Sequence, residues 1–394
     1  MRVLIVTDYF YPHWTGISKS IFNFTQALQD EFDITVLTVK HDGKLPNWEK
    51  IGKTTIIRSP PLFSFSRAKI SLILFWKFIK MIQGYDVVFI NSPCVHILPI
   101  AVFTKIFQKK LLIFHQGDLI LPKGIINRFV EKIFDTSTFI SFFLADKVST
   151  YTRDYAEHSR VLKPFIQKFT PLIMPIIISS HSGERSQVPD GTWRSDSRID
   201  SGRTRSSFAR MTRLKSQKKI LFGFGGRFVE EKGFDILLTA IPKIVSKLPK
   251  AHFVFAGEIK MEYEKTYENL KTQILRVKKY ITILGLLNNE ELTFFYKNID
   301  FIVIPSLSDC FPLFQAEAML LGVPSIVADI PGARYLVGKT GFGAIFKKED
   351  SKDLANKIID IVSKKETIKK NYYKLLQVLD LTKNVEAVRK YIAE

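Results

Sequence analysis

Two stretches of the sequence carry residue types suited to holding an anion and a polyhydroxylated group. Residues 225–233, Gly-Gly-Arg-Phe-Val-Glu-Glu-Lys-Gly, follow the apolar run 220–224 and precede a helical pattern. Free N–H groups at a glycine-led helix start attract anions, and the helix dipole adds to the effect. Arg227 would contribute a planar fork and Lys232 a point charge, the combination a diphosphate calls for. Lys232 is followed by Gly233, not Ser or Thr, so this is no Walker A loop, and no GxGxxG is present. The plainer alternative is a set of surface charges around a tight turn. The second stretch, residues 306–319, sets Asp309 in a loop and Glu317 in the helix that begins near Pro312. Eight residues are about two helical turns, so one acid would approach a cleft rim while the other lies deeper. A buried carboxylate needs hydrogen-bond donors, and hydroxyl pairs would provide them. Here the plainer alternative is a helix cap for Asp309 and a core-edge acid for Glu317.

These residues need elements to carry them. Residues 2–7, 34–39, 85–90 and 110–114 are short apolar runs closed by polar loops, separated by helical patterns such as 18–28. That alternation predicts a doubly wound parallel sheet. The pattern restarts with ILFGFGG at 220–226, a helix near 233–248, and further runs at 252–258, 281–285, 301–306 and 324–329. The reading is α/β, with two Rossmann-like domains facing a central cleft: 1–178, and 219–375 carrying the site. Between them, 179–218 is a basic Ser/Arg-rich linker or insertion. Residues 376–394 form a C-terminal helix.

Charge narrows the partners. With 58 Lys and Arg against 38 Asp and Glu, the net charge of +20 favours anionic ones: nucleic acid, anionic lipid or phosphorylated substrates. Cys94 and Cys310 stand alone, which disfavours a disulfide framework or structural zinc and fits a reducing compartment. The apolar run at 3–6 is too short for a secretory leader, and no stretch has the roughly 18 apolar residues of a spanning helix. Residues 63–82 include Trp76, Lys77 and Lys80 and no acid. They read either as a helix lying in a headgroup region or as a buried helix with snorkelling lysines. The Arg/Ser stretch in 179–219 reads as a solvated loop or an RNA- or phosphate-binding segment.

Arg227 and Lys232 in GGRFVEEKG, Gly257-Glu258, and the run from Asp309 through Glu317 to Pro324 together resemble glycosyltransferase family 4 over roughly residues 220–335. The usual forms in that family are G-R-x4-K-G and a glutamate–x7–glutamate motif. Asp309 replaces the first glutamate and reaches about 1.5 Å less far, one C–C bond. The resemblance implies a GT-B fold and transfer of a sugar from a nucleoside diphosphate with retention. On this reading Arg227 and Lys232 steady the leaving diphosphate and Glu317 holds the ribose. Gly257, Glu258, Phe311, Pro312 and Leu313 border the donor, and Asp309 touches the sugar. Gly16, where the family usually has two adjacent glycines, would bring backbone to the donor phosphates. His115 would contact the sugar or assist at the acceptor, with Asp118 nearby. No DxD triplet occurs, so neither metal nor further cofactor is expected. The implied acceptor is a glycan or a lipid-linked molecule in surface polysaccharide or glycolipid synthesis. The implied location is cytoplasmic, peripheral on the inner face of an anionic membrane, with no specific nucleic acid. Two alternatives stay open: an inactive nucleotide-sugar scaffold that binds RNA or membrane, and a GT-B nucleotide-sugar epimerase.

Overall fold

A computed structural model describes residues 1–65, 68–121, 124–178, 208–259 and 265–394. Most of the basic segment 179–218 therefore lies outside the described residues. The chain divides into two compact units.

The first unit is built on β1 (Arg2–Thr7), β2 (Asp33–Val39), β3 (Trp48–Ile51), β4 (Thr54–Ser59), β5 (Phe63–Phe65), β6 (Ala68–Ile70), β7 (Val87–Ser92), β8 (Lys110–His115), β9 (Lys147–Thr150) and β10 (Phe169–Pro171). Eight of these strands form one sheet in the order β10-β9-β8-β7-β1-β2-β4-β3, parallel except for the β3–β4 hairpin, while β5 and β6 pair separately. β1 is buried at every position after Arg2, as expected of a parallel strand covered on both faces. The helices are α1 (Gly16–Leu28), α2 (Leu72–Met81), α3 (Ile97–Ile106), α4 (Ile125–Leu144) and α5 (Arg153–His158). α1 starts at a capping box: Ser18 N–H donates to Thr15 Oγ1 at 3.1 Å and Thr15 N–H to Ser18 Oγ at 2.8 Å. In α2, Leu74 and Phe78 enter the core, Leu72, Ile73 and Trp76 are exposed, and Lys77 donates to Arg58 O at 2.8 Å. The helix expected over 63–82 is therefore shorter, because 63–70 turn back as the β5–β6 hairpin before Ser71 caps α2, and what remains has features of both readings made from the sequence.

The second unit opens with α6 (208–216). Its sheet is parallel throughout, in the order β13 (Ile281–Gly285), β12 (Ala251–Ala256), β11 (Ile220–Gly225), β14 (Phe301–Ile304), β15 (Ser325–Ala328), β16 (Gly343–Phe346). Its helices are α7 (Phe234–Lys247), α8 (Thr266–Asn269), α9 (Lys271–Val277), α10 (Asn289–Asn298), α11 (Leu313–Leu320), α12 (Ala333–Thr340), α13 (Ser351–Ser363), α14 (Lys365–Lys369) and α15 (Tyr372–Val378). The alternation of β11 explains its packing. Phe222 stacks on Phe253 and Phe301 and Phe224 packs tilted against Phe255, with ring centroids 5.2–5.5 Å apart. Gly223 and Gly225 occupy the other face. A Cβ on Gly223 would lie 2.5 Å from Ile299, and one on Gly225 1.8 Å from the Phe314 ring. The glycines thus let α10, α11 and the turn after α10 settle directly on the strand.

The last helix, α16 (Leu381–Ala393), is grouped with Met1–Ile177. Lys110 Nζ donates to Ile392 O at 2.8 Å, and Val388, Tyr391 and Ile392 are buried.

Candidate functional site

In the second sheet the strand order reverses direction between β11 and β14, and ligands of open α/β sheets sit at the carboxyl ends of the strands at such a point. The loops leaving these two strands are 225–233 and 305–312. They are fastened backbone to backbone: Leu307 N–H donates to Glu231 O at 2.8 Å. Gly233 holds φ +64°, and a Cβ there would fall 2.0 Å from Pro305 O. The loop after β12 joins from the other side. Phe228 N–H donates to Glu258 O at 3.0 Å, and Gly257 (φ +145°) lies so close that a Cβ would sit 1.9 Å from Gly226 O. Only glycine meets both demands, the left-handed φ and the close approach.

Gly226, Arg227, Lys232, Gly257, Glu258 and Asp309 are thereby gathered at one sheet end. Lys232 Nζ donates to Asp309 Oδ2 at 2.6 Å, with both side chains largely buried. Burial opposes the ammonium charge, but the Asp309 and Glu231 carboxylates outweigh it and hold the lysine above its ordinary range. Arg227 Nη2 donates to Glu231 Oε1 at 3.4 Å. Burial, with Asp309 beside it, pushes the Cys310 thiol well up, so it is no ready nucleophile. Phe311, Pro312 and Leu313 are buried where α11 begins, and Glu258 is exposed. Glu317 is buried in α11, where Tyr296 Oη–H donates to its Oε2 at 2.8 Å. Glu231 and Tyr296 were not singled out in the sequence. Glu231 stood inside the glycine-led motif beside Lys232, whereas nothing local marks Tyr296, which lies 21 residues before its partner.

In the first unit, Gly16 is the first residue of α1, and a Cβ there would meet nothing within 4 Å. His115 ends β8 and is buried. Its Nε2 donates to Asp118 Oδ1 at 3.0 Å, which leaves Nδ1 to accept from Ser92 Oγ–H, also at 3.0 Å. Asp118 accepts further from Ser159 Oγ at 2.6 Å and Arg160 N–H at 2.8 Å. Burial raises its pKa, but the bonds from His115, Ser159 and Arg160 prevail and bring it to about 2.

Asp8, Cys94 and His96 form a buried trio whose donor atoms lie within 4.8 Å of one another. The Asp8 carboxylate accepts from Val95 N–H at 2.8 Å and Cys94 Sγ–H at 3.3 Å. Ser71 N–H donates to His96 Nε2 at 3.0 Å, so the ring proton is on Nδ1, 3.5 Å from Asp8 Oδ1. A metal would need a lone pair on that nitrogen, so the trio is a hydrogen-bonded carboxylate rather than a ligand set.

Residues 207–375 match the family described as glycosyl transferases group 1. The chain is 32% identical over 131 residues to an uncharacterised glycosyltransferase of Methanocaldococcus jannaschii, covering 33% of this chain and 32% of that protein. It is 26% identical over 191 residues to a D-inositol 3-phosphate glycosyltransferase of Mycolicibacterium smegmatis, covering 48% and 43%. The chain thus spans about a third to a half of the length of these curated relatives. Among solved structures, it is similar to Anabaena HepE in complex with UDP-glucose, with a TM-score of 0.71 at 16% identity over 100% of this chain and 99% of that one. Sucrose-phosphate synthase from Thermosynechococcus elongatus gives a TM-score of 0.74 at 15% identity, over 99% and 98%. The fold is GT-B, with two Rossmann-like halves.

Proposed function

We propose that the protein is a retaining glycosyltransferase that moves a sugar from a nucleoside diphosphate to a glycan or lipid-linked acceptor, in surface polysaccharide or glycolipid synthesis. The observation that carries the reading is the Lys232–Asp309 pair at the β11/β14 switch point, within the segment that matches glycosyl transferases group 1.

In the proposed reaction the acceptor hydroxyl oxygen bonds to the anomeric carbon as the bond to the diphosphate breaks, on the same face, and the hydroxyl proton passes to the departing phosphate oxygen. Negative charge grows on the departing phosphate oxygen. Arg227 and Lys232 answer it without a metal, a role typically worth about 3 kcal/mol per well-placed donor. Their carboxylate partners hold both cations in place before the donor arrives. Asp309, anchored on Lys232, accepts from a hydroxyl of the transferred sugar. Glu317, oriented by Tyr296, takes the ribose hydroxyls, and Gly257, Glu258 and the turn Phe311-Pro312-Leu313 border the nucleotide. The open position at Gly16 supports a backbone approach to phosphate. His115 has both nitrogens engaged, so its proposed part is to fix the loop that carries Asp118 on the acceptor side.

The test is a thermal-shift titration with UDP, GDP, ADP and their sugars in EDTA. A nucleotide that binds the folded state raises the melting temperature with the logarithm of its excess. One base family is expected to give that rise, and the Arg227→Ala/Lys232→Ala variant to lose it. No rise with any nucleotide would overturn the reading.

A further inference from the structure

Helices α2, α3 and α4 share one core over the first sheet: Leu74, Phe78, Ile97, Ile100 and Phe142 pack in the same cluster as Val88, Ile90 and Leu111. The outer side of such a layer ought to be polar. In α4 the pattern is inverted. Its buried residues are Thr138, Ser141 and Phe142, whereas Ile125, Ile126, Phe129, Ile133, Ile140 and Phe143 are 40–87% exposed. At about 100° per residue, every exposed position of the helix falls within an arc of about 160°. Leu72, Ile73 and Trp76 of α2 and Ile106 of α3, in the same helical layer, are exposed as well.

Cations predominate around this arc, and the exposed Asp146 beyond the end of α4 is paired with Lys105 of α3 at 2.7 Å. Arg128 and Lys132 are exposed on it, and Lys168 Nζ stands 6.0 Å from the Phe143 ring. The two acids of α4 are turned to partners. Glu131 accepts from Leu121 N–H at 2.6 Å, and Asp135 pairs with Arg160 at 3.2 Å. α2 and α3 contain no acid, and Lys80 of α2 is exposed.

We propose that this face docks on a membrane surface containing anionic lipid. α4 lies in the plane of the interface, with Phe129 and Ile133 at the headgroup–acyl boundary and Arg128 and Lys132 on lipid phosphates. A large apolar face fringed by cations is what such a surface binds. α4 does not cross: no helix of the described residues is long and apolar enough to span a bilayer. A second copy of the chain fits less well. A twofold contact sets a surface against itself, and this one would bring cations together with no exposed acid on its helices to answer them.

The experiment is co-sedimentation of the whole protein with vesicles of phosphatidylcholine, alone or with about one third phosphatidylglycerol. Binding to the anionic vesicles is expected, falling with salt. Phe129→Glu/Ile133→Glu should weaken it at least about tenfold. Arg128→Gln/Lys132→Gln, which leaves the apolar face whole, should weaken it about fivefold per charge. All four residues are exposed, so melting curves should not move. A fluorophore on Ile133→Cys should shift to the blue with anionic vesicles. Equal binding to neutral vesicles, or full binding by both double variants, would overturn the proposal. So would a wild-type dimer, seen by light scattering, that Phe129→Glu/Ile133→Glu splits.

Discussion

Asp309 and Lys232 are 77 residues apart and meet only because β11 and β14 are neighbours in the sheet. Each was readable alone, as a cation for phosphate and an acid for hydroxyls. Their mutual bond depends on strand order, which spacing along the chain does not contain. His115 and Asp118 show the opposite case. They are three residues apart, and the sequence marked both, but the serines that complete the set, Ser92 and Ser159, come from distant segments. This cluster has a measurable consequence. The carboxyl of Asp118 titrates near 2 in the folded unit, below an unfolded value of about 3.9, so it adds stability above the unfolded value and loses it as pH falls. The contribution is about 2 kcal/mol, and about half should be gone by pH 3. Urea unfolding at pH 6 and pH 3 checks this: Asp118→Asn should be less stable at pH 6 and show a smaller drop between the two. Equal drops would mean that the cluster does not depress the carboxyl.

Most strands were legible because a parallel strand covered on both faces is a short unbroken apolar run, as in β1, β8 and β14. β4, with Thr54, Thr55 and Arg58, is too polar to give that signal, and β16 opens on Gly343 and leaves an apolar run of three, against the four of β14. α4 was not singled out in the sequence, and periodicity alone would not have told its role: it reveals an apolar stripe without saying which way it faces, and here the stripe points outward. β11 shows how closely an element can be fitted to its neighbour. Phe314, on α11, lies over Gly225, and the same helix carries Glu317. Gly225→Ala would press a methyl into that ring, and overpacking of this kind costs about 1–3 kcal/mol. The denaturant midpoint should fall, and the nucleotide-induced thermal shift should shrink along with it, because α11 must move and take Glu317 with it. A lower midpoint with an unchanged shift would show that the ring swings aside and leaves the helix in place.

The two-domain organisation was visible in the restart of the strand–helix pattern at 219, but the return of the chain was not. A terminal amphipathic helix carries no mark of the surface it will cover. Yet α16 is built into the first unit: Tyr391 Oη–H reaches Ile113 O at 3.5 Å, Arg389 lies 3.7 Å from Glu31, and Lys147 Nζ stands over the Tyr391 ring. Burying Val388, Tyr391 and Ile392 contributes about 1.5–3 kcal/mol for each large side chain, an upper figure because the unfolded chain already hides part of that surface. Their sum approaches the total stability of an ordinary domain, about 5–15 kcal/mol. A chain that stops after Asp380 should therefore lose much of the first unit while leaving the second sheet and its loops untouched. In calorimetry one transition should drop in temperature or vanish, and the transition that responds to nucleotide should stay where it was. If both transitions moved together, the two units would unfold as one, and α16 would be part of a shared cooperative structure rather than a strap on the first.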